Sequence, residues 1–194
     1  MRFAKSLPAF VRLAGLVLCL SPAFAQEEDT DPPPIYVPSP QEVVDEMLKL
    51  AEVKKTDAVY DLGCGDGRIV ISAAKLGARG VGIDINPERI KEANDNAQRE
   101  GVTERVTFRN EDLFTTDLSP ATVVTLYLLP ARLTRLRPKL WKELRPGTRI
   151  VAHDFDLGDW KPEKTIEIGG HRLFFWTIPE GKSQLPQTPL PAGP

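Results

Sequence analysis

A doubly wound, Rossmann-like α/β sheet, mostly parallel and finished by a C-terminal antiparallel hairpin, is the fold this sequence predicts. Three observations carry the prediction. Short β-rich runs alternate with amphipathic helical patterns between residues 40 and 153, the pattern of a parallel sheet with helices on both faces. The first strand leads directly into a glycine-rich turn, Gly63-x-Gly65-x-Gly67, and then a helix. The last two β-rich runs are joined by Gly169-Gly170 alone, which suits a tight hairpin and is far too short for a helical crossover.

The elements follow in order. Ser39-Pro40-Gln41-Glu42 reads as a capping box with proline at the first helical position, and Val43, Val44, Met47, Leu48 and Ala51 mark the apolar face of the helix it opens. Ala58 to Leu62 is a buried strand. Arg68 to Leu76 is a helix that Gly77 stops. Gly80 to Ile85 is the second strand, after which Asn86-Pro87 caps a helix through Glu100, ended by Gly101. Val106 to Arg109 and Ala121 to Leu128 are the third and fourth strands. Ala131 to Leu144 is a helix that turns Leu133, Leu136, Leu140 and Leu144 inward. Its basic residues Arg132, Arg135, Arg137, Lys139 and Lys142, with Arg145 just beyond, form either a solvated face or a surface for anionic lipid or an acidic protein. Pro146-Gly147 turns the chain into the fifth strand, Arg149 to His153, and Thr165 to Ile168 pairs with His171 to Ile178 in the hairpin.

The chain has 194 residues, enough for one domain with a real core, placed at 35–180. Residues 1–25 carry Arg2, Lys5 and Arg12, then an apolar run from Leu13 to Leu20, then Ala23-Phe24-Ala25. They read as a secretory signal cut after Ala25, because the apolar run is too short for a comfortable membrane span. The expected location is therefore exported, periplasmic or secreted; the alternative is an uncleaved membrane anchor. Residues 26–34 and 181–194 are rich in proline or charge and read as a flexible linker and a disordered tail. Removing residues 1–25 leaves 22 basic against 27 acidic side chains, a net charge of about −5, which disfavours nucleic acid as a partner. Only Cys64 then remains, so neither an internal disulfide nor a cysteine-based metal site is available, and no metal is expected.

In a doubly wound sheet ligands bind beyond the C-terminal ends of the strands. That rule brings Asp61 and the turn Gly63, Cys64, Gly65, Asp66 and Gly67 into one crevice with Asp84 and the following Ile85 and Asn86, and with Asp112 and Leu113 after the third strand. A pyrophosphate would meet repulsion from Asp61 and Asp66, and the turn matches neither G-x-G-x-x-G nor the phosphate-loop pattern, so the loop favours a cation. Asp84, 19 residues after Gly65, stands where a carboxylate accepts ribose hydroxyls, although it could equally be a solvated loop acid. Asp112 could likewise cap the next segment.

With this DLGCGDG loop, the acids after strands two and three and the terminal hairpin, the chain resembles the class I, seven-stranded S-adenosylmethionine-dependent methyltransferases over residues 35–180. The resemblance implies S-adenosyl-L-methionine as cofactor, with Asp61 to Gly67 wrapping its methionine part, Asp84 holding the ribose and Asp112 near the adenine amine. An exported protein that keeps the fold and binds an adenosine-type ligand without turnover is the competing reading.

A finer likeness lies in YVPSPQEVVDEMLKLA from Tyr36, VYDLGCGDGRIVI from Val59, VVTLYLLP from Val123 and VAHDFDLGDW from Val151. These are similar to bacterial relatives of the mitochondrial lysine methyltransferases that modify a membrane-embedded subunit of ATP synthase and the adenine nucleotide carrier. The likeness implies a protein substrate, membrane-associated in that group, with small-molecule or lipid acceptors as the alternative. It also implies that Tyr36 folds over the cofactor near the reactive methyl, or else packs as a staple outside the first helix. The sequence Tyr127-Leu128-Leu129-Pro130 departs from the Asn/Asp-Pro-Pro-Tyr-like turn of amide and adenine methyltransferases and fits a lysine amine. His153 and Asp154, ending the fifth strand, are candidates to steer the incoming ammonium and take its proton, or are a core residue and a cap. Trp160 would line an alkyl channel or pack at its rim. Oligomeric state is not legible.

Overall fold

The computed structural model describes residues 36–182. The signal at 1–25, the linker at 26–34 and the tail beyond Lys182 lie outside the described residues. No helix among the described residues is long and apolar enough to cross a membrane.

Seven strands form one sheet: β1 Ala58–Leu62, β2 Arg79–Asp84, β3 Val106–Asn110, β4 Val123–Leu126, β5 Arg149–His153, β6 Lys164–Ile168 and β7 His171–Thr177. Their order is β3-β2-β1-β4-β5-β7-β6, parallel throughout except that β7 runs antiparallel to both β5 and β6. Among the described residues α1 Gln41–Leu50 precedes β1, and α2 Arg68–Lys75, α3 Pro87–Arg99 and α4 Pro130–Glu143 fill connections between strands, with a 3-10 turn at Thr103–Arg105. The chain order reverses between β1 and β4, so the switch-point crevice of a doubly wound sheet opens beyond their C-terminal ends.

Period-two alternation sorts the strand residues onto two faces. Val59, Val123, Val151, Leu173 and Phe175 pack with Val43, Val44, Met47 and Leu48 of α1 and Ile69 and Ala73 of α2. Tyr60, Leu62, Val124, Leu126, Ile150, Ala152 and Trp176 face the other way, onto Leu133, Leu136 and Leu140 of α4 and the following Leu144. Those four leucines are at most 1% exposed, as their spacing predicts, and burying each contributes about 1.5–3 kcal/mol. At the opposite end of the strands from the crevice, Arg149 forms an ion pair with Asp57, whose other partners Lys54 N and Thr122 Oγ1 tie β1 to β4 and β5.

One local expectation is corrected and one open alternative is decided. The capping box does not form: the residue preceding α1 is Pro40, no side chain caps the helix, and the Ser39 hydroxyl instead bonds a distant histidine. Trp160 lines no channel. It is 6% exposed, packs edge-on against Trp141 at 5.2 Å, and its carbonyl accepts from Trp176 Nε1 at 2.7 Å, which makes it core. The hairpin forms as expected, with Gly169 and Gly170 at φ +58° and +83°, the left-handed conformation that a two-residue hairpin turn requires.

Candidate active site

Asp61 sits at the centre of the sheet, 2% exposed, and its Oδ1 accepts from Thr125 Oγ1 of neighbouring β4 at 2.8 Å. Burial raises its carboxyl to about 7, against the bond from Thr125, and the negative charges of Asp84 and Asp66 push in the same direction as burial. A cation placed here would reverse that shift. The turn that follows is pinned from below, since Gly63 N and Cys64 N both donate to Ile83 O of β2 at 2.8 and 3.0 Å. Cys64 is 5% exposed, with Sγ directed beneath the turn toward Gly82, so burial holds its thiol protonated and only its backbone faces the crevice.

Asp84 ends β2 half-buried, its Oδ2 accepting from Gly65 N at 2.9 Å and its Oδ1 from Asn86 N at 2.9 Å. Each oxygen keeps one lone pair, which suits it to two ribose hydroxyls. Ile85 beside it is 56% exposed, a flat apolar surface of the kind a purine ring covers, while the Asn86 side chain is committed to capping α3 through Glu88 N at 2.8 Å. Asp112 follows β3. Its Oδ1 accepts from Phe114 N at 2.8 Å, so it does cap the next turn, with Oδ2 left for a ligand; the Leu113 side chain is 8% exposed and belongs to the core.

Asp66 does not play the part expected of it. Arg68 holds its carboxylate through Nε at 3.0 Å and Nη2 at 2.6 Å, and although burial opposes ionisation these bonds keep the carboxyl below its usual range. The pair is internally neutral, so of the two loop acids only Asp61 remains to meet a cation. Tyr36 lies across Gly65, which is at φ +52°: a Cβ there would come within 2.2 Å of Tyr36 Cε2. Arg89 stacks on the ring at 4.8 Å, and burial with the nearby Asp66 charge raises the phenol above its ordinary value. Tyr36 therefore covers the glycine loop rather than stapling α1, and its neutral hydroxyl is a donor and not a base.

The second half of the crevice is built at the ends of β4 and β5. His153 is fully buried under Tyr127, ring centroids 3.9 Å apart, and burial lowers its imidazole to about 4. Asp154 is left-handed at φ +60°, its Oδ1 taken by Arg172 N at 3.0 Å and its Oδ2 facing His171 Nδ1 at 3.0 Å. Partial burial opposes ionisation of Asp154, but these bonds outweigh it and hold the carboxyl below its usual range. Ser39 joins the two halves: its Oγ lies 2.8 Å from His153 Nδ1 and its carbonyl accepts from Arg68 Nη1 at 2.8 Å.

The crevice thus offers carboxylates at the ends of β1, β2 and β3, an apolar platform at Ile85, and a loop whose one arginine is already paired. That set fits a nucleoside bearing a positive charge and does not fit a pyrophosphate. Residues 61–164 match the ANTKMT methyltransferase domain. The chain belongs to this methyltransferase family. A protein-lysine N-methyltransferase of Saccharolobus islandicus is 46% identical over 153 residues, spanning 76% of this chain and 95% of the relative. A lysine N-methyltransferase of Xenopus laevis, named for the C subunit of ATP synthase, is 36% identical over 75% of this chain, which spans 63% of that protein's length. A crystal structure described as an RNA methyltransferase from Salinibacter ruber in complex with S-adenosyl-L-homocysteine is 54% identical, with a TM-score of 0.76, covering 78% of this chain and all of that one.

The sequence reading places neither Tyr127 nor His171 at the end of the fifth strand. Tyr127 enters it only as part of the fourth strand and of the Tyr127-Leu128-Leu129-Pro130 turn, without a contact to His153. His171 stands 17 residues beyond Asp154, and only the antiparallel course of β7 brings its first residue to the C-terminal end of β5. The one available signal was that the chain has just two histidines.

Proposed function

We propose that this S-adenosylmethionine-dependent methyltransferase transfers its methyl group to the ε-amine of a protein lysine. The observation that carries the acceptor is the 46% identity, over 76% of this chain and nearly the full length of the relative, to a protein named for that reaction. The sulfonium methyl of S-adenosylmethionine supplies the electrophile. Asp84 holds the ribose, Ile85 and Asp112 the adenine end, and the loop from Asp61 to Gly67 the methionine end, with Tyr36 over Gly65 excluding water. Alignment in a dry site then provides most of the rate, because an in-line displacement needs little other chemistry.

A lysine ammonium titrates near 10.4, so releasing its proton at pH 7 costs about 4–5 kcal/mol. Asp154, held ionised, steers the ammonium toward the crevice but is too weak a base to keep its proton. His153, buried with both ring nitrogens engaged, is no better. The proton therefore leaves to solvent.

A membrane-associated target is favoured by the likeness to the enzyme named for an ATP synthase subunit. RNA as the acceptor is the second reading, favoured by the Salinibacter protein and opposed by the acidic balance of the chain. Export, with cleavage after Ala25, is part of the proposal, and it rests on the basic start, short apolar run and Ala23-Phe24-Ala25. Radiolabelled methyl donor is incubated with membrane extract and total RNA, and the labelled species are identified. Label recovered as methyl-lysine supports the proposal; label in RNA or lipid overturns it. N-terminal sequencing that finds Met1 instead of Gln26 removes the cleaved signal.

A further inference from the structure

The chain's two histidines meet Asp154 in a geometry that hydrogen bonding alone does not require. His153 Nε2 lies 3.0 Å from His171 Nδ1, His171 Nδ1 lies 3.0 Å from Asp154 Oδ2, and that oxygen lies 3.5 Å from His153 Nε2. Three ligand atoms thus form a nearly equilateral triangle. With the protons on His153 Nδ1 and His171 Nδ1, the latter points well at one acceptor, yet two acceptors face it and face each other. A tetrahedral ion with bonds of about 2.0–2.1 Å sets its ligand atoms about 3.3 Å apart, which is the size of this triangle. Among the described residues this is the one group of His, Cys, Asp and Glu side chains within reach of a common ion.

Two further observations point the same way. His153 Nδ1 is 2.8 Å from Ser39 Oγ inside the protein; a proton donated there leaves the Nε2 lone pair directed into the triangle, the orientation that outer partners impose on metal-binding imidazoles. Asp154 is held left-handed, a conformation that costs a non-glycine residue about 1 kcal/mol or more, by its N–H bond to Arg172 O at 2.7 Å and by Arg172 N donating to its Oδ1 at 3.0 Å. This leaves Oδ2 facing both rings, with the Tyr127 hydroxyl bonded to the same carboxyl. The Asp154 and His171 side chains are 26% and 30% exposed, so the cluster is open to solvent on their side and an ion can reach it.

We propose that His153 Nε2, His171 Nδ1 and Asp154 Oδ2 form a three-ligand site for a divalent transition metal, zinc by preference, with water completing the coordination. The sequence expectation of no metal rested on cysteine, and this set assembles only when β7 runs back along β5. An ion bound here takes the Asp154 charge, so the steering of an ammonium by Asp154 belongs to the metal-free protein.

Untagged full-length protein is stripped with chelator and titrated with zinc against a chromophoric competitor, and separately with Co(II). One equivalent bound per chain at micromolar or tighter Kd is expected, with the intense visible bands of tetrahedral Co(II). His171→Ala and Asp154→Asn, both at partly exposed positions, each weaken binding at least 100-fold while circular dichroism and urea unfolding show the fold retained. Ser39→Ala, which frees the His153 ring, weakens it about tenfold. Absence of saturable binding, or affinity unchanged in His171→Ala and Asp154→Asn, overturns the site.

Discussion

Replacing Asp61 with asparagine tests whether this carboxyl carries an unfavourable charge in the folded chain. The buried carboxyl titrates near 7 in the folded chain and at 3.8 in the unfolded one, so between those values the folded state binds the extra proton. Stability conferred by Asp61 is therefore greatest below about pH 4, falls as pH rises, and has gone above about pH 7. Roughly three pH units at 1.36 kcal/mol each amount to about 4 kcal/mol, of which about 3 kcal/mol falls between pH 5 and 8. Asparagine keeps an oxygen for Thr125 Oγ1 and has nothing to ionise. Urea unfolding of both proteins without methyl donor, at intervals from pH 5 to 9, isolates the effect, because groups not coupled to Asp61 cancel in the difference. The expected outcome is a shift of about 3 kcal/mol in favour of Asp61→Asn across pH 5 to 8. A difference that stays flat, or moves toward the wild type, refutes a carboxyl that resists ionisation in the folded chain. The same reasoning predicts that wild-type affinity for S-adenosylmethionine rises over this range while that of the variant does not.

Asp84→Ala removes the acceptor for Gly65 N and Asn86 N along with the ribose partner, and calorimetry with S-adenosylhomocysteine should show at least a 100-fold loss; unchanged affinity would exclude the ribose assignment. Gly65→Ala forces a left-handed alanine into the Tyr36 ring and should cost about 1–2 kcal/mol, read by urea unfolding, with part of that recovered by adding Tyr36→Ala. Tyr36→Phe keeps the ring over Gly65 and loses only a neutral hydroxyl, so kcat should fall less than tenfold; a loss beyond 100-fold would mean that the phenol takes part in the chemistry.

The order of elements, the crevice and the acids at the ends of β1, β2 and β3 were all legible in the sequence, because each depends on local signals: apolar periodicity, a glycine turn, a cap and the spacing between them. Strand boundaries were read within one residue except at β4, where the expected run from Ala121 to Leu128 shortened by two residues at each end to Val123–Leu126 because pairing with β1 and β5 ends there. Tertiary structure alone decided where polar side chains spend their hydrogen bonds. Ser39 and Glu42 have the capping-box spacing, yet the Ser39 hydroxyl goes to His153, 114 residues away. Asp66 was counted as a free charge until Arg68 folded back on it. His153, Asp154 and His171 meet because β7, and not β6, lies beside β5: the glycine pair predicts the hairpin, but no spacing along the chain says which of its two strands joins the sheet.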